Sequence, residues 1–197
     1  MSDSGPRYPA GSRRRRNPAE VRARHAEVDD PQVVLEAAAR FLEARSRSES
    51  EVRRRLTRAG YRSDLVDTAI ARLAELGMLD DAVFARAWVE SRDRARPRGE
   101  RAIREELRQK GVDRSVVDSI LDERRAGADP EVGSPDRLAA ERLLARNERS
   151  LARVTDPRQR RQRAYALLAR SGFDPETCRE VAAMAARDAE PEGISEA

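Results

Sequence analysis

Apolar residues recur at helical spacing along most of the chain, from about residue 32 to residue 188. In the stretch "EVRRRLTRAG" (51–60), Val52 and Leu56 are four positions apart, which puts them on one face of a helix. Strand-like alternation is absent, no proline occurs between residues 32 and 96, and the good helix formers Ala, Leu, Arg and Glu dominate. The pattern therefore predicts an all-α fold.

The same pattern occurs three times when the chain is aligned on three glycines, Gly60, Gly111 and Gly172. The copies are "EVRRRLTRAGYRSDLVDTAIARL" (51–73), "AIREELRQKGVDRSVVDSILDER" (102–124) and "RAYALLARSGFDPETCREVAAMA" (163–185). Each glycine should follow the end of a helix, where a left-handed backbone suits it. The residues four positions before and one position after each glycine are apolar: Leu56, Leu107 and Leu168, then Tyr61, Val112 and Phe173. The polar residues predicted to cap the next helix are Ser63, Asp113 and Asp174.

A further apolar helix precedes each copy, in "LEAAARFLEAR" (35–45), "DDAVFARAWVESR" (80–92) and "DRLAAERLLARN" (136–147). The chain is therefore predicted to be a tandem array of three three-helix repeats, each resembling a helix-turn-helix, with an elongated and curved shape. The predicted divisions are a disordered basic tail (1–31), repeat 1 (32–79), repeat 2 (80–126), a linker (127–133), repeat 3 (134–188) and a second disordered tail (189–197).

Residues that could carry chemistry have simpler structural explanations. The single histidine, His25, falls in the predicted tail, and Cys178 aligns with the core positions Val66 and Val117. Asp80 and Asp81 are explained as caps of the following helix, with a partner contact as the alternative. The sequence has no Cys/His cluster and no glycine-rich phosphate loop, so we predict no catalytic residue, no metal and no cofactor.

Composition favours a charged, non-membrane protein. Of the 197 residues 39% are charged and 4% aromatic, and the net charge is +4. This composition suits small helical units that each bury one face, and an acidic or nucleic-acid partner. A single cysteine and the absence of a secretory signal predict a cytoplasmic protein. The absence of a membrane-length apolar stretch predicts no membrane contact. We also expect the protein to be a monomer.

Arginine density is the main functional lead. Residues 92–110 hold eight basic and four acidic residues, and residues 153–170 hold six basic and one acidic residue. The bland interpretation is a solvated face in a chain whose basic residues are all arginine except Lys110. The alternative is a surface for phosphates or an acidic protein. The candidate binding residues are Arg92, Arg94, Arg96, Arg98, Arg101, Arg104, Arg108, Lys110, Arg160, Arg161 and Arg163, of which Arg101, Arg104 and Arg108 are predicted to share one helix face.

Three segments resemble the RecX family, the regulators of the RecA recombinase: "RSRSESEVRRRL" (45–56), "GMLDDAVFARAWVESR" (77–92) and "RGERAIREELRQKGV" (98–112). The resemblance is strongest from about residue 41 to residue 121 and fades over the third repeat. It implies a protein of tandem three-helix repeats, with no enzymatic activity. Such a protein would bind RecA, chiefly its filament on DNA, and hinder filament extension, ATP turnover and strand exchange in repair and recombination.

A second interpretation stays open. Helix, short glycine turn and helix is also the outline of a DNA-reading helix-turn-helix, so the chain could bind DNA directly. Three copies in one chain weaken this alternative, because proteins that read the major groove usually dimerise onto half-sites.

Overall fold

The computed structural model describes residues 17–129 and 131–187, and it confirms the all-α prediction. In this part of the chain there are ten α-helices and no strand. The helices are α1 (Pro18–Ala26), α2 (Pro31–Glu43), α3 (Glu49–Ala59), α4 (Ser63–Glu75), α5 (Asp81–Ala95), α6 (Glu100–Gln109), α7 (Arg114–Ala126), α8 (Pro135–Ala152), α9 (Pro157–Arg170) and α10 (Pro175–Arg187). No helix in these ranges combines the length and apolar character that crossing a bilayer requires.

Helices α2 to α10 pack mainly in three consecutive triplets, each with its own apolar core. The first core lies among α2, α3 and α4, the second among α5, α6 and α7, and the third among α8, α9 and α10. The leucines four positions before the aligned glycines are central to these cores and are at most 2% exposed: Leu56, Leu107 and Leu168. We propose that the triplets are the repeats predicted at 32–79, 80–126 and 134–188.

Part of the N-terminal segment that the sequence predicts to be disordered is helical. Residues 18–26 form α1, which begins with an Asn17 cap and with Pro18 in the first turn. Helix α1 packs against α3, and the ring of His25 stacks on Tyr61 with centroids 4.3 Å apart. No residue of α1 is buried, and its sequence has no apolar stripe. The hydrophobic pattern therefore gave no sign of a helix here. Residues 1–16, with the basic run 13–16, and residues 188–197 lie outside the described residues.

The turns follow one geometry in all three triplets. Gly60, Gly111 and Gly172 have φ of 101°, 78° and 85°. The residue after each glycine donates its N–H to the carbonyl of the aligned leucine, over 3.2 to 3.4 Å. The left-handed residue and this bond close the helix end as a Schellman-type turn does, leaving few unpaired carbonyls.

The predicted caps are correct at two of the three turns. Asp113 accepts from Ser115 N–H, and Asp174 accepts from the N–H groups of Glu176 and Thr177. All three helices begin three residues after the glycine, so Ser63 is the first residue of α4 rather than its cap. The cap position there is Arg62, which has no capping bond and pairs instead with Asp64.

Two aspartates stand at the start of α5, the first helix of the second triplet, and both accept hydrogen bonds from main-chain N–H groups. Asp80 caps α5 through the N–H groups of Ala82 and Val83. Asp81 accepts from the N–H of Glu49 at 2.8 Å, so it bonds the first residue of α3 in the first triplet. The second aspartate therefore joins two triplets.

Each turn also docks on the element before it, through the carbonyl of the residue preceding the glycine. The Nδ1 of His25 lies 2.6 Å from the carbonyl oxygen of Ala59, and it donates to that oxygen when Nδ1 carries the proton. The Ser48 hydroxyl donates to the Lys110 oxygen at 2.6 Å. The Gly99 N–H donates to the Ser171 oxygen at 3.0 Å. Ser48 and Gly99 are the N-caps of α3 and α6, so the middle helices of successive triplets meet end to end.

These joints leave no space for side chains at the glycines. A Cβ on Gly111 would overlap the side chain of Ser50, and a Cβ on Gly172 would overlap Ala102, including its backbone nitrogen. A Cβ on Gly99 would overlap the carbonyl oxygen of Gly172. Gly111 and Gly172 therefore serve both the turn and the close approach of the preceding triplet.

Candidate partner-binding surface

Part of the first arginine block surrounds the single tryptophan of the chain. The guanidinium of Arg92 lies 4.3 Å from the centre of the Trp88 ring, and the ammonium of Lys110 lies 4.9 Å from it. Glu106 accepts from the indole N–H of Trp88 at 2.8 Å and from Arg92 at 2.6 Å. Arg98 approaches the same carboxylate at 3.8 Å. Two cations and an acid thus hold the ring inside the second triplet.

Arg92 and Lys110 are therefore not free binding groups. Their side chains are only 14% and 22% exposed. Lys110 also donates to Glu51 at 2.8 Å, across the joint between the first and second triplets. Burial by itself would raise the pKa of Glu51, but the hydrogen bond and charge of Lys110 outweigh it, so the pKa lies below its ordinary value of 4.5.

Replacing Glu51 with glutamine should therefore destabilise the fold at neutral pH and not at acid pH. A pKa that is lower in the folded state means that the native protein binds fewer protons, so the stabilisation is complete above pH 4.5 and is lost as the pH falls through the lower native pKa. We expect a loss of about 1–2 kcal/mol at pH 7, measured by urea unfolding. The exposed Glu43→Gln is the control and should show no such pH-dependent difference; an equal deficit of Glu51→Gln at pH 3 would contradict the pairing.

Arg104 and Arg108 are also paired within their own triplet. Arg104 pairs with Asp118 and, at 3.0 Å, with Glu100. Arg108 pairs with Glu105 at 2.7 Å, and this hydrogen bond lowers the pKa of Glu105 to about 2. The predicted shared face of Arg101, Arg104 and Arg108 is thus largely neutralised, and Arg101 is its exposed member without an ion pair to any described residue.

The first triplet repeats the Arg104 arrangement at positions 51 residues earlier. Arg53 pairs with Asp67 and, at 3.1 Å, with Glu49, as Arg104 does with Asp118 and Glu100. The same three residue positions therefore make the same contacts in both triplets. A spacing of fourteen residues between arginine and aspartate could have revealed this pair in the sequence.

The end of α5, the segment that joins it to α6 and the start of α6 keep exposed cations. Arg94 is 79% exposed, with its nearest described carboxylate, Glu90, at 3.9 Å, and Arg96 is exposed. Two arginines of α8 lie beside them and were not predicted: Arg142 donates to the Asp93 carbonyl at 3.0 Å, and Arg146 donates to the carbonyls of Arg94 and Ala95. Their spacing of four residues on one helix was the signal available. We call Arg94, Arg96 and Arg101 the linker arginines.

A buried arginine also escaped the sequence reasoning. Arg124 is 7% exposed and bonds Asp93 at 2.8 Å and Asp136 at 2.7 Å. Asp136 accepts in addition from Glu100 N–H at 3.0 Å. Burial raises the pKa of Asp136, against the lowering by Glu100 N–H and by Arg124. This group ties α5, α6, α7 and α8 together beneath the linker arginines.

The candidate arginines of the second block, Arg160, Arg161 and Arg163, lie on α9. Arg160 bonds the Val154 carbonyl, while Arg161 and Arg163 are exposed near the start of α9. The joint with α6 lies at the other end of that helix, at Gly172. The nine residues from Arg163 to Gly172 span roughly 14 Å, so Arg161 and Arg163 lie away from that joint. Residues 17–129 and 131–187 contain no group of His, Cys, Asp or Glu placed to hold a metal ion. Cys178 is buried, and burial raises its pKa.

Comparison with known proteins places this architecture in context. Two family models match: the first three-helix domain of RecX over residues 35–73 and its second three-helix domain over residues 80–121. The chain is 36% identical to the regulatory protein RecX of Mycobacterium avium, over 72% of this chain and 78% of that protein. It is 38% identical to regulatory protein RecX of Mycobacterium tuberculosis, over 68% and 75% of the two chains.

Solved structures agree at the level of the fold. The crystal structure of RecX from Lactobacillus salivarius superposes with a TM-score of 0.65 at 19% identity, covering 78% of this chain and 94% of that chain. A second crystal structure, of regulatory protein RecX, gives a TM-score of 0.66 at 23% identity over 81% and 76% of the two chains.

Proposed function

The chain belongs to the RecX family of regulatory proteins, and on that premise we propose that it binds the RecA recombinase, chiefly as the filament on DNA. Bound there, it would restrain ATP hydrolysis, filament extension and strand exchange. The observation that carries the proposal is the exposed cationic surface of the linker arginines, inside the segment that matches the second RecX domain.

The chemistry of this surface suits an acidic partner. Arginine forms paired hydrogen bonds with carboxylates and phosphates, and the linker arginines keep that capacity because the nearby acids are engaged elsewhere. Asp93 and Asp136 bond Arg124, and Glu106 bonds Arg92. The net charge around the linker is therefore positive toward solvent.

The arrangement of the triplets supports a polymeric partner. Units joined end to end present a surface longer than one core could, so one chain can touch more than one subunit of a filament. Binding of this kind requires no catalytic group; it alters the partner by occupying its surface. We propose further that the protein acts as a monomer in the cytoplasm.

Direct DNA binding is the second candidate, and the exposed arginines of α9 favour it. Arg158, Arg161 and Arg163 are exposed, and Arg161 is three positions from Arg158 on the same helix. A surface that binds phosphates in this way gives affinity without sequence preference.

Titration of the full chain against RecA filaments on single-stranded DNA, and against the same DNA alone, separates the two candidates. We expect the ATP hydrolysis of the filament to fall as protein is added, and co-sedimentation with filaments to weaken as salt increases. Tight binding to bare DNA with unchanged ATP hydrolysis by the filament would favour the second candidate and reject the first.

A further inference from the structure

Two arginines of the first triplet share one aromatic ring and have no acid beside them. The guanidinium of Arg47 lies 4.4 Å from the centre of the Phe41 ring, and that of Arg55 lies 5.6 Å from it. No described carboxylate lies within 4.0 Å of either group. The Nε of Arg47 is buried and has no hydrogen-bond partner, although buried polar groups are almost always bonded. We call Phe41, Arg47 and Arg55 the Phe41 site.

The second triplet has a carboxylate at one of the positions that correspond to the Phe41 site. Positions 51 residues apart are equivalent in the two triplets, as the Arg53–Asp67 and Arg104–Asp118 pairs show. By that spacing Phe41 corresponds to Arg92, Arg47 to Arg98 and Arg55 to Glu106.

In the second triplet Glu106 binds Arg92 and approaches Arg98. In the first triplet its place is taken by a second cation. The Phe41 site therefore holds two guanidinium groups and no carboxylate, whereas the corresponding positions of the second triplet hold two guanidinium groups and one carboxylate.

The acid nearest to Arg55 in sequence cannot neutralise the Phe41 site. Glu51 is one helical turn before Arg55, but it accepts from Lys110 at 2.8 Å and from Ser48 N–H at 3.4 Å. These two contacts hold it at the joint with the second triplet. Two guanidinium groups near one ring repel each other, and an anion from outside relieves that repulsion.

We infer that the Phe41 site binds an acidic side chain, Asp or Glu, of a protein partner. The carboxylate would take the role that Glu106 plays inside the second triplet: it would pair with Arg47 and Arg55 at the edge of the aromatic ring. A carboxylate is favoured over a phosphate because a carboxylate, Glu106, neutralises the two arginines at the corresponding positions of the second triplet. That the partner is RecA rests on the proposed function; the site itself does not.

The decisive variant is Arg55→Glu, which restores internally the acid found in the second triplet. We expect its melting temperature to equal or exceed that of the parent, because the new carboxylate pairs with Arg47. We expect its affinity for a fluorescently labelled peptide of ten glutamates, measured by anisotropy at low salt, to fall tenfold or more. Arg58→Glu is the matched control, since it makes the same charge change at an exposed position on the same helix, and it should lose threefold or less.

The outcomes separate the alternatives. Equal peptide affinity for Arg55→Glu and Arg58→Glu would overturn the site. If Arg55→Glu keeps peptide binding and loses binding to oligothymidylate, the ligand is a phosphate and the inference is wrong. A fall in melting temperature would contradict the equivalence with Glu106, and Arg55→Gln then tests peptide binding without a new charge. Peptide binding that depends on Arg55, in a protein that does not bind the filament, would reject the proposed function and keep the site.

Discussion

Replacing the linker arginines with glutamate should slow association with the RecA filament about tenfold or more, with little change in stability. Arg94, Arg96 and Arg101 are exposed, and only Arg94 has a described carboxylate within 4.0 Å, at that distance limit. Exposed charges at an interface act mainly on the association rate and on its salt dependence. Surface substitutions away from structural pairs usually change stability by less than about 0.5 kcal/mol each.

The choice of these three positions matters, because other arginines of the block are structural. Arg104→Glu would place a third negative charge beside Asp118 and Glu100 and would weaken the fold itself. The matched control is a triple reversal of Arg58, Arg149 and Arg179, which are exposed elsewhere and give the same change in net charge. Stopped-flow association with fluorescent filaments measures the rates. Equal slowing by both triple variants would show that only the total charge matters, and would remove the linker from the proposed surface.

Substituting alanine at Gly172 should destabilise the third triplet by about 2–5 kcal/mol. Two costs combine there. A left-handed backbone at φ 85° costs a residue with a Cβ about 1–2 kcal/mol. The Cβ would also meet the backbone of Ala102, which cannot rotate away, so the joint must open, and overpacking of this kind costs about 1–3 kcal/mol.

Two other glycines separate these costs. Gly77 has φ of 66° and nothing within 4 Å of its Cβ position, so Gly77→Ala should show the backbone strain alone. Gly99 has φ of −72°, and its Cβ would overlap the carbonyl of Gly172, so Gly99→Ala should show the steric cost alone. Urea unfolding of the three variants measures each contribution. A Gly172→Ala protein no less stable than Gly77→Ala would mean that the joint yields freely.

The triplets themselves could be predicted from sequence because each uses local rules. Four-residue apolar spacing, a glycine after the helix and an apolar residue after the glycine are properties of one segment, and they hold at Leu56, Gly60 and Tyr61. Helix α1 could not be predicted, because its own sequence has no apolar stripe. Its contacts are with α3, which is distant in sequence, and no local pattern indicates them.

The candidate surface was predicted only in part, because the role of an arginine depends on which acid lies beside it. Lys110 and Glu51 are 59 positions apart, and only the joint between triplets brings them together. Arg92 and Arg94 look alike in sequence, but one is 14% exposed under Trp88 and the other is 79% exposed. Counting charges in a segment therefore cannot separate its paired arginines from its exposed ones.

The three joints have a consequence for how such a chain can evolve from duplicated units. In each joint the hydrogen-bond acceptor is a main-chain carbonyl, whereas the donor differs: an imidazole at His25, a hydroxyl at Ser48 and an amide N–H at Gly99. A main-chain acceptor is present whatever residue a mutation introduces, and several kinds of donor satisfy it. Duplicated units can therefore drift far apart in sequence while they still assemble, provided that the spacing from helix start to turn glycine is kept. That freedom is consistent with a third triplet that keeps the turn and the aligned core positions of the other two while the rest of its sequence differs from theirs.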